Sequence, residues 1–153
     1  MTLPRFVGRE KELAFLERAS DTGRFNLVVL YGRRRVGKTE LLKNFLKARD
    51  GAYVLLTDES VEENIKALKA KFRELTGEAF FTDLETDSIF DLFSYFAKQI
   101  GDRRTVLVLD EFPYLLNLNR GYLSTFQKII DELLAKSRIT LILCGSSLAM
   151  MEN

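Results

Sequence analysis

The segment Gly32-Arg33-Arg34-Arg35-Val36-Gly37-Lys38-Thr39 has the residue types and spacing to hold a chain of phosphates. Gly32 and Gly37 let backbone N–H groups turn inward around an oxyanion, where a Cβ would obstruct them. Lys38 brings a point charge to the outer phosphate oxygens, and the Thr39 hydroxyl suits Mg²⁺. A helix that starts here aims its positive end at the same place. Glu40 directly follows and belongs with the candidate nucleotide contacts. Arg33, Arg34 and Arg35 could contact phosphate or nucleic acid. The plainer reading has their side chains pointing outward while the loop binds through its N–H groups.

A second set of candidates lies about seventy residues further on, where Val106-Leu107-Val108-Leu109 runs into Asp110-Glu111. Four apolar residues and then an acidic pair is the Walker B pattern of P-loop ATPases. Asp110 at the strand end would hold Mg²⁺ through its water shell. Glu111 would polarise a water for in-line attack on the γ-phosphate. Alone, such a pair is usually a solvated strand end, and the upstream phosphate loop is what gives it a function. A third apolar run ends Cys144-Gly145-Ser146-Ser147. If this strand lies between the first and third, its end approaches the γ-phosphate. Ser146 is then the candidate to sense the phosphate or orient the water, with Ser147 second. Ser147 could equally cap a helix beginning at Leu148. Cys144 has neither a histidine nor a nearby lysine in the sequence to activate it, and reads as an inert buried thiol.

These residues need elements to position them. Phe25 to Tyr31, Tyr53 to Thr57, Thr105 to Leu109 and Ile139 to Cys144 read as strands. Their near-continuous apolar character suits a parallel sheet buried on both faces. Between them, Glu10 to Ala19, Thr39 to Arg49, Val61 to Leu75 and Ile89 to Ile100 carry apolar residues at helical spacing, and a further stripe runs from Tyr122 to Leu134. The Phe-rich stripes could line a ligand box, but core packing explains them better. Strand alternating with helix gives an α/β fold with a parallel sheet flanked by helices.

The composition agrees with a single globular core and excludes several chemistries. The chain has 153 residues, 46% hydrophobic and 29% charged, with a formal net charge of +1. That is ordinary globular composition, and it argues against a surface coated in positive charge for wrapping nucleic acid. Histidine is absent, which excludes histidine-based zinc sites and Ser-His-Asp triads. The single cysteine allows no internal disulfide. No apolar run approaches the roughly 18 residues of a membrane span. No secretory leader pattern opens the chain, so a cytoplasmic protein is expected.

Taken together, the residues resemble the archaeal ATPase family, a group within the STAND branch of P-loop NTPases related to AAA+ proteins. The resemblance rests on Phe6-Val7-Gly8-Arg9-Glu10, on Tyr31 to Thr39, on Leu109 to Leu115 and on Cys144 to Ser147. It implies that Phe6, Val7, Gly8 and Arg9 border the adenine, with Glu10 at the following helix. It implies ATP rather than GTP, in keeping with the missing Asn-Lys-any-Asp element by which many GTPases read guanine. It further implies that ATP and Mg²⁺ serve a conformational switch with slow hydrolysis.

The family pattern has a fifth strand beside the first, in the order 5-1-4-3-2, and then a helical lid. Neither is found before Asn153, so the expectation is an ATPase core without its fifth strand, lid and effector domain, and with weak hydrolysis. An uncovered first strand invites self-association. The alternative to the ATPase reading is a nucleotide-binding regulatory or nucleic-acid-associated module with negligible turnover. A small-molecule kinase is weaker, because a glutamate beside the metal-holding aspartate suits activation of water. Nucleic-acid binding draws its support from Arg33 to Arg35 and Arg103-Arg104, and a solvated surface explains the latter pair equally well.

Overall fold

The structure, a computed structural model, describes residues 9–31 and 37–146. The elements in order are α1 (Arg9–Ser20), β1 (Asn26–Tyr31), α2 (Lys38–Leu46), β2 (Gly51–Leu55), α3 (Val61–Thr76), α4 (Phe80–Asp83), α5 (Ile89–Ile100), β3 (Thr105–Asp110), α6 (Phe112–Leu118), α7 (Gly121–Ile129) and β4 (Ile139–Gly145). The strands form one parallel sheet in the order β1-β4-β3-β2. This is the expected order for these four strands, with β4 between β1 and β3.

Side-chain alternation along each strand decides what faces what. On β3, Leu107 and Leu109 enter the larger core with Leu141 and Leu143 of β4 and Val54 of β2. Helices α3, α5, α6 and α7 close that side through Phe72, Phe93, Phe96, Leu115 and Phe126. Val106 and Val108 point the other way, into a second core with Val28, Leu30, Ile142, Leu16, Leu41 and Phe45. The sheet is therefore buried on both faces between two helical layers, as parallel sheets require. The Phe stripes are core: Phe72 stacks on Phe96 with centroids 4.0 Å apart and meets Phe93 edge-on at 5.2 Å.

The structure differs from the sequence reading in four places. Strand β2 runs Gly51–Leu55, two residues earlier than expected, because Gly51 pairs with Val106 at a close approach that only glycine permits. The stripe from Tyr122 to Leu134 is not one regular helix, since α7 widens into a π-helical turn over Ile130–Leu134 closed by Ala135 N–H on the Ile130 carbonyl at 2.8 Å. Helix α2 stops at Leu46, short of Arg49. Helices α4 and α6 were not expected. Pro113 sits in the first turn of α6, where its missing N–H has no helical partner to lose.

Candidate functional site

Parity on β3 sends Asp110 to the same face as Val106 and Val108, the face covered by α2. Helix α2 begins at Lys38, directly after Gly37, whose φ of 81° lies in the left-handed region that glycine tolerates. The loop-to-helix turn therefore drops Lys38 onto the strand ends. Its Nζ lies 3.2 Å from Asp110 Oδ1 and 3.3 Å from Glu111 Oε1. All three residues are nearly enclosed, with Lys38 at 6%, Asp110 at 2% and Glu111 at 9% exposure. One ammonium thus answers two carboxylates in a confined space. Such a cluster is stable only when each charge keeps a partner.

Glu111 adopts φ 58° and ψ 40°, the single positive-φ residue other than glycine among the described residues. A side chain held there costs on the order of 1–2 kcal/mol. The turn is held by the Glu111 N–H donating to Asp110 Oδ1 at 2.8 Å and by α6 starting at once behind it. Its effect is to swing the Glu111 carboxylate back over the end of β4. There the Ser146 hydroxyl donates to it, 3.3 Å from both Oε1 and Oε2. Strain of this kind collects where a side chain must be aimed.

Tyr53 is the site residue that the sequence reading missed. It lies on β2 opposite Val108, and its hydroxyl reaches forward to donate to Asp110 Oδ2. Thr39, in the first turn of α2, lies near the same phenol. Burial, and then the hydrogen-bonded Asp110 carboxylate, push the Tyr53 phenol far above its ordinary range, so it is a neutral donor at every physiological pH. No motif flags this tyrosine, because its place follows from the β2–β3 register and not from local sequence.

Lys38, Thr39, Asp110, Glu111 and Ser146 are thus brought together, with Gly37 at the entry to the helix. Glu40 is exposed in the first turn of α2, where its charge complements the helix end. Arg9 opens α1. Phe6, Val7, Gly8, Gly32, Arg33, Arg34, Arg35, Val36 and Ser147 lie outside the described residues. Cys144 is fully buried, and burial raises its thiol well above its ordinary value. One expectation needs correction: a lysine is near enough to act on it, since Lys38 pulls the thiol downward, but desolvation outweighs that pull and the thiol stays inert.

Among the described residues, no group of three or more His, Cys, Asp or Glu side chains could hold a metal unaided. The donor set that is present, a threonine hydroxyl and an aspartate near one phenol, suits a hard cation whose other ligands are water and phosphate. No helix among the described residues is long and apolar enough to cross a membrane.

Comparison with known proteins bears on the family and the fold. The profile of a family described as an ATPase domain predominantly from Archaea matches residues 6–153. An uncharacterized ATP-binding protein of Methanocaldococcus jannaschii is 60% identical over 42 residues, covering 28% of this chain and 71% of its own length. An uncharacterized protein of the same organism is 48% identical over 93 residues, covering 61% of this chain and 89% of its own. Among solved structures, the Walker-type ATPase Paby2304 of Pyrococcus abyssi superimposes with a TM-score of 0.64 at 25% identity, over 95% of this chain and 47% of that one. The Aeropyrum pernix ORC2 protein, in ADPNP and ADP complexes, gives 0.63 at 18% identity over 96% and 43%, a likeness of fold. The chain spans less than half the length of either solved structure. With a profile match over nearly its whole length, a parallel sheet in the order β1-β4-β3-β2 and a lysine seated between two strand-end carboxylates, the chain belongs to the family of ATPase domains found predominantly in Archaea.

Proposed function

We propose that the chain binds ATP with Mg²⁺ where α2 meets the C-terminal ends of β1, β3 and β4, and hydrolyses it slowly as part of a conformational switch. The observation that carries this reading is Lys38 Nζ at 3.2 and 3.3 Å from Asp110 and Glu111, at the start of a helix that opens on a left-handed glycine. Helix N–H groups behind Gly37 face the position of a phosphate, and Lys38 can trade its carboxylate partners for phosphate oxygens. Thr39 and Asp110 are the residues that would hold Mg²⁺, which supplies charge neutralisation at the β- and γ-phosphates. Glu111 is the candidate base for the attacking water, and Ser146 fixes where its carboxylate points.

The same contacts support slow turnover and a switch. Glu111 is engaged by Lys38 and Ser146, and an attacking water has to compete with both for its carboxylate. Phosphate capture by Lys38 would release Glu111 for that task, and this coupling could carry the nucleotide state to α6 behind it. Support for ATP as the base comes from the family and from the relative named as ATP-binding.

Single-turnover hydrolysis tests the reading. Glu111→Gln should slow the chemical step by about 10²–10⁴-fold, the usual share of a general base, with ATP affinity retained. If Glu111→Gln turns over as fast as wild type, the site is a binding module whose residual hydrolysis has no base.

A further inference from the structure

Tyr53 has contacts that neither strand pairing nor core packing requires. Its ring packs against the α2-side core, partly covered by α2, with Lys43 Nζ 5.4 Å from the ring centroid. Lys43 and Thr39 are four residues apart on α2 and so share one helix face. The ring would keep this packing without a hydroxyl. The hydroxyl instead reaches past Val108, its partner in register, to donate to Asp110 Oδ2. It therefore holds one oxygen of the carboxylate assigned to the metal.

The rest of Asp110 is already used. Its Oδ1 accepts from the Glu111 N–H at 2.8 Å and faces Lys38 Nζ at 3.2 Å. With Tyr53 on Oδ2, both carboxylate oxygens have donors, which is what an aspartate at 2% exposure needs. A hydrated divalent ion brings water O–H groups that seek the same Oδ2, and it takes the oxygen of Thr39 as a ligand. Tyr53 and the hydrated ion thus compete for Asp110 Oδ2.

We propose, resting on the nucleotide reading above, that the Tyr53 hydroxyl is a placeholder in the metal site. It satisfies Asp110 Oδ2 until Mg²⁺ and nucleotide bind, and must then withdraw from it. Tyr53 is then a positioning residue that sets how strongly nucleotide binding depends on metal. Removing the hydroxyl costs the free protein a hydrogen bond to a charged group and costs the metal-loaded protein nothing, so the difference appears as tighter metal-dependent binding.

The experiment is calorimetric titration of ATP into wild type and Tyr53→Phe, each with Mg²⁺ and with EDTA. The phenylalanine ring keeps the packing under α2, so the variant is expected to fold. The expected result is a gain in affinity from Mg²⁺ about tenfold larger in Tyr53→Phe than in wild type, the scale of one hydrogen bond to a charged group. Affinities in EDTA should agree within about twofold, since no donor is displaced there. Near-ultraviolet difference spectra give a second readout. Adding Mg²⁺ and ATP to wild type should perturb tyrosine absorption as the phenol leaves the carboxylate, and Tyr53→Phe should lack that perturbation.

An unchanged gain from Mg²⁺ in the variant, with wild type binding ATP normally, would overturn the placeholder role and leave the nucleotide reading intact. A smaller gain would overturn it as well, showing that the phenol stays and orients Asp110 for the metal. Absence of ATP binding by folded wild type would overturn both.

Discussion

Lys38 is the charge on which the site balances. It stands between Asp110 and Glu111, and all three are nearly excluded from water. Removing it leaves two carboxylates facing each other without a cation, and breaking a buried pair this way costs roughly 3–5 kcal/mol. Lys38→Ala should therefore lower the thermal midpoint of the nucleotide-free protein, by about 6–20 °C for a chain of this size, quite apart from its effect on ATP. Thermal denaturation without nucleotide checks this, and a midpoint within about 2 °C of wild type would show that the pair adds little. At this scale the sequence was informative where a residue's type alone carries the chemistry: a lysine after glycine, a hydroxyl after it, two acids at a strand end. It was silent on Tyr53, because a tyrosine in an apolar strand looks like any other core residue. It was silent too on the left-handed turn at Glu111, where nothing in Asp-Glu-Phe-Pro favours a positive φ.

Elements explain why these side chains meet. The β2–β3 register sets Tyr53 beside Val108 and Leu55 beside Asp110, and Gly51 anchors its start. A Cβ at Gly51 would stand 2.6 Å from the Val106 carbonyl oxygen and 2.7 Å from Leu46 Cδ2. The carbonyl belongs to a central strand and cannot move aside. Gly51→Ala should destabilise the fold by about 1–3 kcal/mol through this overlap. Denaturant unfolding measures it, and an unchanged midpoint would mean that the β2–β3 pairing slides to make room. The sequence reading began this strand at Tyr53, two residues later than the structure does. With that start, Tyr53 opens the strand and no register links it to Asp110. Strands β1, β3 and β4 were legible to within about a residue, since their apolar runs are bounded by polar residues. The π-helical turn after α7 was not, because its apolar spacing still follows a helical stripe.

For the whole molecule, a sheet buried on both faces leaves its strand ends as the place where chemistry can be exposed. Asp110, Glu111 and Ser146 all stand at the C-terminal ends of β3 and β4, the crevice where open α/β sheets bind ligands. The larger core holds this edge rigid from the α5 and α7 side, and the smaller one seats α2, which brings Lys38 and Thr39. That division was readable in advance, because strand–helix alternation and two-faced apolar strands leave few other architectures. The central claim is that this edge is an ATP site whose affinity depends on Lys38. Calorimetric titration of ATP and of GTP into the folded chain with Mg²⁺, repeated on Lys38→Ala under conditions where circular dichroism shows it folded, tests that claim most directly. The account predicts saturable binding of one ATP, weaker binding of GTP, and at least about a tenfold loss of ATP affinity in Lys38→Ala, the worth of a charge-assisted contact to phosphate. Equal ATP affinity in the two proteins, or no ATP binding by folded wild type, would contradict it.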